Sequence, residues 1–267
     1  MNNNVLDCRG LTVRFGGVLA LNALDLEVGR GEILGLIGPN GSGKTTFFNV
    51  VSGVYRSDGG SIQFDGEAVT RLTPQALCRR GLARTFQRSR LCLSLSVFDN
   101  VVLGAYRRIN SGVVHNMFRR RAFADELKLY VEKCGELLAI FNPQLTTRLF
   151  DPAISLGMID RRRVEICRAL IGQPKLLLLD EPSAGMTQDE TSQLMSELIA
   201  VRRQLGSLTI VIIEHEMGVI EQVTDRCVVL NYGRKICEGR FTEVAADPVV
   251  REAYLGRAYT KSPVAPA

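Results

Sequence analysis

The sequence predicts an α/β protein whose mixed sheet is interrupted by an inserted helical lobe. Three observations lead there. Short β-prone runs separated by glycines fill the first 37 residues and lead into a Gly-rich loop with a helix behind it. Between residues 92 and 158 the pattern turns helical. Past 158, apolar strand runs and helices alternate again, as in a sheet covered by helices.

The elements follow in order. "LTVRF", "LALNALDLEV" and "EILGLIG" read as three strands, the third apolar enough to be a buried central one. "KTTFFNVVSG" reads as a helix closed by Gly53. "GGSIQFDGEAV" is a further strand and turn, and Pro74 opens a helix at "PQALCRRGL". In "RRRAFADELKLYVEKCGELLAIF" the residues Leu127, Val131, Cys134, Leu138 and Phe141 form a helical stripe. "KLLLLD" is a near-continuous apolar strand. Thr187 and Glu190 make a capping box for a helix with Leu194, Leu198, Val201 and Leu205 on one face, closed by Gly206. "LTIVII" is the next buried strand, and "RCVVLNYGRKICEG" is two short strands about a Tyr-Gly turn. The expected organisation is a core of residues 1–91 and 159–257, a helical lobe at 92–158, and a disordered tail at 258–267.

Composition narrows the classes of function. With 267 residues, 46% hydrophobic and 23% charged, the chain can bury a proper core. No apolar run approaches the roughly 20 residues that span a bilayer, and "MNNNVLDCRG" has no apolar signal core, so a cytosolic location is expected. Seven scattered cysteines without a C-x-x-C pair read as reduced thiols, not a disulfide frame or zinc site. The net charge of +5 is mild. Arginine clusters at 79–80, 107–108, 119–121 and 161–163 read as solvated helix faces or a docking surface. With no Trp and no interleaved aromatics, nucleic acid is not expected as a partner.

The chemistry begins at "GPNGSGKTT". Gly38, Pro39, Asn40, Gly41, Ser42, Gly43, Lys44, Thr45 and Thr46 match G-x-x-x-x-G-K-[ST] between a strand and a helix. The glycines let the backbone curl so that N–H groups face phosphates, and the helix N-terminus adds its dipole. Lys44 supplies a charge for the β- and γ-phosphates, and Thr45 a hydroxyl for Mg²⁺. This motif predicts ATP binding by a P-loop NTPase core, a RecA-like mixed sheet with antiparallel strands at its N-terminal side.

"LLLLDEP" ends a buried strand in Asp180 and Glu181. Ligands of parallel sheets sit beyond the strands' carboxyl ends. Asp180 is therefore placed to hold Mg²⁺ through water, and Glu181 to take a proton from the attacking water. Glu at 181, not Gln, points to hydrolysis. His215, after "LTIVII", is expected to contact the γ-phosphate; His115, in the basic lobe, is read as structural or exposed.

Taken together, these motifs resemble the nucleotide-binding subunits of ABC transporters over Val5 to Gly256. "RFGGVLALNALDLEV", "GPNGSGKTTFFNVVSGVYRSDGGSI", "GLARTFQRSRLCLSLSVFDNV", "DEPSAGM" and above all "DPVVREAYLG" are similar to the branched-chain amino acid importers in particular. The resemblance implies an ATPase on the cytoplasmic face of the inner membrane, using ATP and Mg²⁺. It implies membrane-spanning permease subunits, a second copy or homologous ATPase facing it head to tail, and a periplasmic binding protein acting indirectly. Gln87 would reach Mg²⁺ and the water, and the stretch after it would touch a coupling helix of the membrane subunit. Phe15 would stack on adenine, with ordinary core packing as the alternative reading.

The family's signature, L-S-G-G-Q or L-S-Y-G-Q ahead of R-[VL]-x-I-A-R-A-L, is altered in "SLGMIDRRRVEICRAL". Fixed spacing puts Leu156, Gly157, Met158, Ile159 and Asp160 in its five positions. The other alignment matches Ser155 and Gly157 to S-x-G and leaves two extra residues before the helix. An N-cap at Asp160, with the helix starting at Arg161, favours the second alignment, and Ser155 and Gly157 are expected to be the working loop. The segment after "DEP" also departs, ending in Thr187. The alternatives are an ABC ATPase for other cargo (urea or short amides, lipopolysaccharide export), a low-turnover regulatory ATP-binding subunit, or a soluble ABC-type protein of translation or DNA repair. Soluble proteins of that last kind usually carry two nucleotide modules, and this chain has one.

Overall fold

The structure, a computed structural model, describes residues 3–87, 90–106, 120–206 and 208–255. The expectations for His115, for Arg107, Arg108 and Arg119, for Arg88 and Ser89 and for the tail at 258–267 lie outside the described residues. The main elements are β1 (Asn4–Phe15), β2 (Val18–Gly29), β3 (Ile33–Ile37), α1 (Lys44–Val51), β4 (Gly59–Phe64), β5 (Glu67–Ala68), α2 (Pro74–Arg80) and β6 (Leu82–Arg84). Then come α3 (Val97–Val102), α4 (Arg120–Phe141), α5 (Met158–Leu170), β7 (Leu176–Asp180), α6 (Gln188–Leu205) and β8 (Thr209–Ile213). The chain continues through α7 (Met217–Val223), β9 (Arg226–Asn231), β10 (Arg234–Gly239), α8 (Phe241–Ala246) and α9 (Pro248–Leu255). No helix among the described residues is long and apolar enough to cross a membrane.

Two compact units divide the chain, residues 1–77 with 207–267, and residues 78–206. In the first unit an antiparallel sheet runs in the order β2-β1-β4-β5. Beside it in the sequence, β3 runs parallel to β8 on one side and β9 on the other, and β10 closes the edge antiparallel to β9. Every residue of β3 and β8 is buried, which explains their unbroken apolar runs: a strand covered on both faces needs no polar alternation. The Tyr-Gly turn forms as expected, with Tyr232 and Gly233 both at positive φ (45° and 73°), the pair of values that a tight hairpin requires.

In the second unit β6 pairs parallel with β7, α5 packs on β6, and α3, α4 and α6 each pack against α5. The unit thus takes in β6, β7 and α6 alongside the helical elements between 92 and 158. Leu176 to Leu179 of β7 are fully buried. Each side chain contributes about 1.5–3 kcal/mol relative to exposure. The capping box is present: Thr187 Oγ1 accepts from Glu190 N at 3.3 Å and Thr187 N donates to Glu190 Oε2 at 2.9 Å.

Three sequence expectations are corrected here. On α4 the buried face is Tyr130, Cys134, Leu138 and Phe141, while Leu127 is 43% exposed; the packed surface begins later along the helix than the apolar spacing suggests. Arg162 and Arg163 are buried and ion-paired, so the 161–163 cluster is not a solvated face. Asp160 is not an N-cap. Helix α5 starts at Met158 with Gly157 as its cap, and Arg161 N donates to Gly157 O at 3.0 Å. The Asp160 carboxylate is held instead by Arg163 Nη1 (2.7 Å), three residues on along the same helix, and by Asn142 Nδ2 (3.2 Å), 18 residues back in the sequence.

Candidate active site

The phosphate loop leaves β3 at Gly38 and enters α1 at Lys44. Two glycines are obligatory. Gly38 has φ 146°, and a Cβ there would lie 2.1 Å from the Leu230 carbonyl oxygen. Gly43 has φ 109°, and a Cβ would lie 2.6 Å from the Ala20 carbonyl oxygen. Only a residue without a side chain lets the loop pass between β9 and β2. Lys44 is buried, and its Nζ donates to the carbonyls of Gly38 (2.6 Å) and Pro39 (3.0 Å). Ser42 Oγ is buried without a hydrogen-bond partner, a polar atom left for something else to satisfy. Ser42 O accepts from Gly233 N at 2.9 Å, so the Tyr-Gly turn braces the loop. Asn40, Gly41 and Thr45 are exposed, while Pro39 and Thr46 are half-buried. The curled backbone, the cation and the open hydroxyls suit a polyphosphate.

The C-terminal helices reach the same loop. Tyr254 on α9, Phe241 and Val244 on α8, Met217 and Ile37 line an apolar cavity of about 280 Å³. Burial pushes the Tyr254 hydroxyl above its ordinary pKa, and a hydrogen bond with the Gly38 backbone pulls the other way. This contact was not visible in the sequence, although "DPVVREAYLG" stood out there. His215 follows β8 and is exposed, next to the buried Glu214. Phe15 ends β1 at 47% exposure, with its ring edge-on to Tyr55 at 5.4 Å. It is therefore not a core phenylalanine, and the packing alternative falls.

In the second unit Asp180 ends β7 buried, and Glu181 follows at φ 47°, an uncommon backbone conformation for a non-glycine residue. Gln87 Nε2 donates to Glu181 Oε2 at 2.6 Å, so the structure brings these two predicted residues together. Asp180 is ion-paired to Arg84 on the adjacent strand at 2.9 Å. Ser155 Oγ donates to Pro152 O (2.8 Å) and accepts from Arg148 Nη2 (2.8 Å), so its hydroxyl is engaged by its own turn and by an arginine seven residues upstream. Gly157 is exposed at the head of α5.

Sequence reasoning missed Arg84 and the buried charges of α5. Arg162 Nη1 donates to Phe86 O (3.1 Å) and Nη2 to Gln87 O (3.1 Å), while Glu165 Oε1 accepts from Arg90 N (2.9 Å). A faint signal existed: Arg162, Glu165 and Arg168 recur every third residue with alternating charge, the spacing of neighbours along a helix.

A buried strand that opens through a glycine loop into a helix, with its lysine folded over the loop, defines a P-loop nucleotide-binding protein. The comparisons with known proteins carry that class further. Residues 21–184 match the ABC transporter family and residues 234–260 the branched-chain amino acid ATP-binding cassette transporter family. The chain belongs to the ABC transporter family as one of its ATPases. It is 36% identical over 258 residues to the high-affinity branched-chain amino acid transport ATP-binding protein BraF of Pseudomonas aeruginosa, covering 97% of this chain and 100% of that one. It is 37% identical over 265 residues to the corresponding LivG protein of Escherichia coli, with the same coverage. A nucleotide-free ATP-binding cassette from an ABC transporter has a TM-score of 0.80 at 28% identity, over 95% of this chain and 100% of that chain. An ADP-bound cassette gives 0.81 at 28% identity, over 95% and 99%.

Proposed function

We propose that this chain is the ATP-hydrolysing subunit of an importer for branched-chain or related amino acids, peripheral on the cytoplasmic face of the inner membrane. One observation carries the cargo reading: residues 234–260 match the branched-chain cassette family, in a chain alike over nearly its whole length to BraF and LivG.

The chemistry proposed for each residue follows from its setting. Lys44 gives up two loop carbonyls to meet the β- and γ-phosphates, exchanging neutral acceptors for charged ones that hold it more strongly. Loop N–H groups from Gly38 to Thr46 surround the phosphates. Phe15 lies open to stack on adenine. The Thr45 hydroxyl, the Asp180 carboxylate and the Gln87 amide oxygen are hard oxygen donors of the kind Mg²⁺ takes. Bound Mg²⁺ would neutralise charge on the phosphate oxygens. Glu181 takes the proton of the attacking water, and the Gln87 amide, donating to Oε2, orients that carboxylate. His215 contacts the γ-phosphate.

For the signature we adopt the fixed-spacing alignment. Helix α5 begins at Met158, so the two residues that the other alignment needs as loop lie inside a helix. Leu156 is buried and Gly157 is the cap, which leaves the N–H groups at the head of α5 as anion donors to a neighbour's nucleotide. Ser155 drops out of the contact set, and Gly157 stays in it. Two copies, or this chain and a homologous ATPase, close head to tail around two ATP molecules. Leu93, Leu95, Phe150 and Ile154 are exposed, and backbone bonds from Ala153 to Leu95 and from Ile154 to Leu93 join their two segments. This apolar ground supports docking of a permease subunit, with a periplasmic binding protein acting through it.

The test is reconstitution with permease subunits and binding protein in proteoliposomes, following ATP-driven uptake of labelled leucine, isoleucine, valine and urea. Leucine uptake that stops with Glu181→Gln is expected. Urea uptake without leucine uptake would overturn the cargo. Ile159, β-branched where the family has glycine, favours a second reading in which the site completed by this loop turns over slowly.

A further inference from the structure

Helix α5 carries a buried ridge of charges for which the chemistry above has no use. Arg162 and Glu165 are ion-paired at 2.7 Å, with side chains 7% and 1% exposed. Arg168 Nη2 lies 3.6 Å from Glu165. Burying such groups is costly, and well-packed apolar residues often serve stability as well or better. Here the charges spend their hydrogen bonds on one short piece of main chain. Arg162 spreads its fork over the carbonyls of Phe86 and Gln87, Glu165 accepts from Arg90 N, and Arg168 Nη1 donates to Arg90 O at 2.8 Å. The Arg90 guanidinium in turn covers the Phe86 ring, 3.7 Å from its centre. The main chain at Gln87 is thereby tied to α5, while the Gln87 side chain extends to Glu181.

We infer that Arg162 and Glu165 are positioning residues for Gln87, aiming its amide at Glu181 by anchoring the main chain of residues 86, 87 and 90 to α5. The inference rests on the roles proposed above for Gln87 and Glu181. Its physical core is the planar guanidinium: two N–H groups reach two successive carbonyls, which fixes the direction of the peptide between them, and an ammonium cannot reproduce that fork. Because α5 starts at Met158 behind its cap Gly157, the helix that presents residues 157–160 also holds Gln87. A shift of α5 displaces the Gln87 carbonyl with it.

The experiment is a double-mutant cycle on the purified full-length chain, reading kcat and KM for ATP. Arg162→Met is expected to lower kcat about tenfold and leave KM within twofold. In a Gln87→Ala background the same substitution should change kcat less than twofold, because the group it positions is gone. Arg162→Lys, which keeps the charge but not the fork, should show the same pattern more weakly, and it carries the test if Arg162→Met does not fold. An equal loss in both backgrounds, a loss expressed in KM, or an unchanged kcat overturns the inference alone. If Gln87→Ala leaves kcat unaltered, both the proposed role of Gln87 and the inference fall.

Discussion

Arg84 Nη2 lies 2.9 Å from Asp180 Oδ2, and the two side chains are only 6% and 5% exposed. The pair joins the adjacent parallel strands β6 and β7, so Asp180 sits at its strand end against a fixed positive charge. Removing one member of a buried pair leaves the other uncompensated in low dielectric, at a cost of about 3–5 kcal/mol. Arg84→Met should therefore lower the melting temperature by roughly 10 °C, and Arg84→Met with Asp180→Asn should recover part of it. A melting temperature within two degrees of the parent, measured by circular dichroism, would show that the pair contributes nothing.

Lys44 is the buried cation of the phosphate loop, bonded to two carbonyls of that loop. Lys44→Ala should weaken ATP binding at least a hundredfold, about 2.7 kcal/mol, in equilibrium binding of a fluorescent ATP analogue. Affinity retained within threefold would remove the loop from the site.

Gly157 caps α5 in an extended conformation (φ −65°, ψ 170°), and a Cβ built there meets nothing within 4 Å. Serine fits, can accept from the N–H groups of the first turn, and should stabilise the chain by a few tenths of a kcal/mol. The same hydroxyl stands where the proposed alignment lacks one, so Gly157→Ser should raise ATPase activity about threefold or more. Ser155→Ala should leave it within twofold, since Ser155 Oγ is already engaged by Arg148 and by the Pro152 carbonyl. A tenfold loss in Ser155→Ala would restore the alignment through Ser155.

Cysteine labelling reads the packing directly. Burial raises the thiols of Cys8, Cys134, Cys167 and Cys227, with Cys134 pushed up to about 12. Only thiolate reacts, so these four should resist iodoacetamide at pH 8 in the folded protein, and going to pH 9 should not expose them. Cys92, which is exposed, should be alkylated. Peptide mapping that finds Cys134 modified as fast as Cys92 would mean the α4 face is not packed as described.

Much of the site was legible because its parts are contiguous. The phosphate loop joins a strand to a helix within a dozen residues, and its backbone N–H groups, glycine conformations and lysine are set by local geometry. The Thr187–Glu190 box and the Tyr232–Gly233 turn belong to the same class, since hydrogen bonds over one turn need no distant partner. The buried strands were readable for a related reason: "ILGLI", "LLLLD" and "TIVII" contain too little polarity to face water on either side.

Long-range partners decided the rest. A favourable local cap at Asp160 was lost because Asn142, 18 residues back, shares its carboxylate with the neighbouring Arg163, and the helix began earlier. Three arginines in a row looked solvated, yet Arg163 pairs with Glu197, 34 residues away, and Arg162 with the backbone at Gln87, 75 residues away. Arg84 and Asp180 are separated by 96 residues and meet only because β6 and β7 lie side by side. Local sequence sets which backbone groups can satisfy one another nearby. Which charges are desolvated, and by whom they are neutralised, is settled when distant segments pack, because the free energy of a buried charge depends on everything around it.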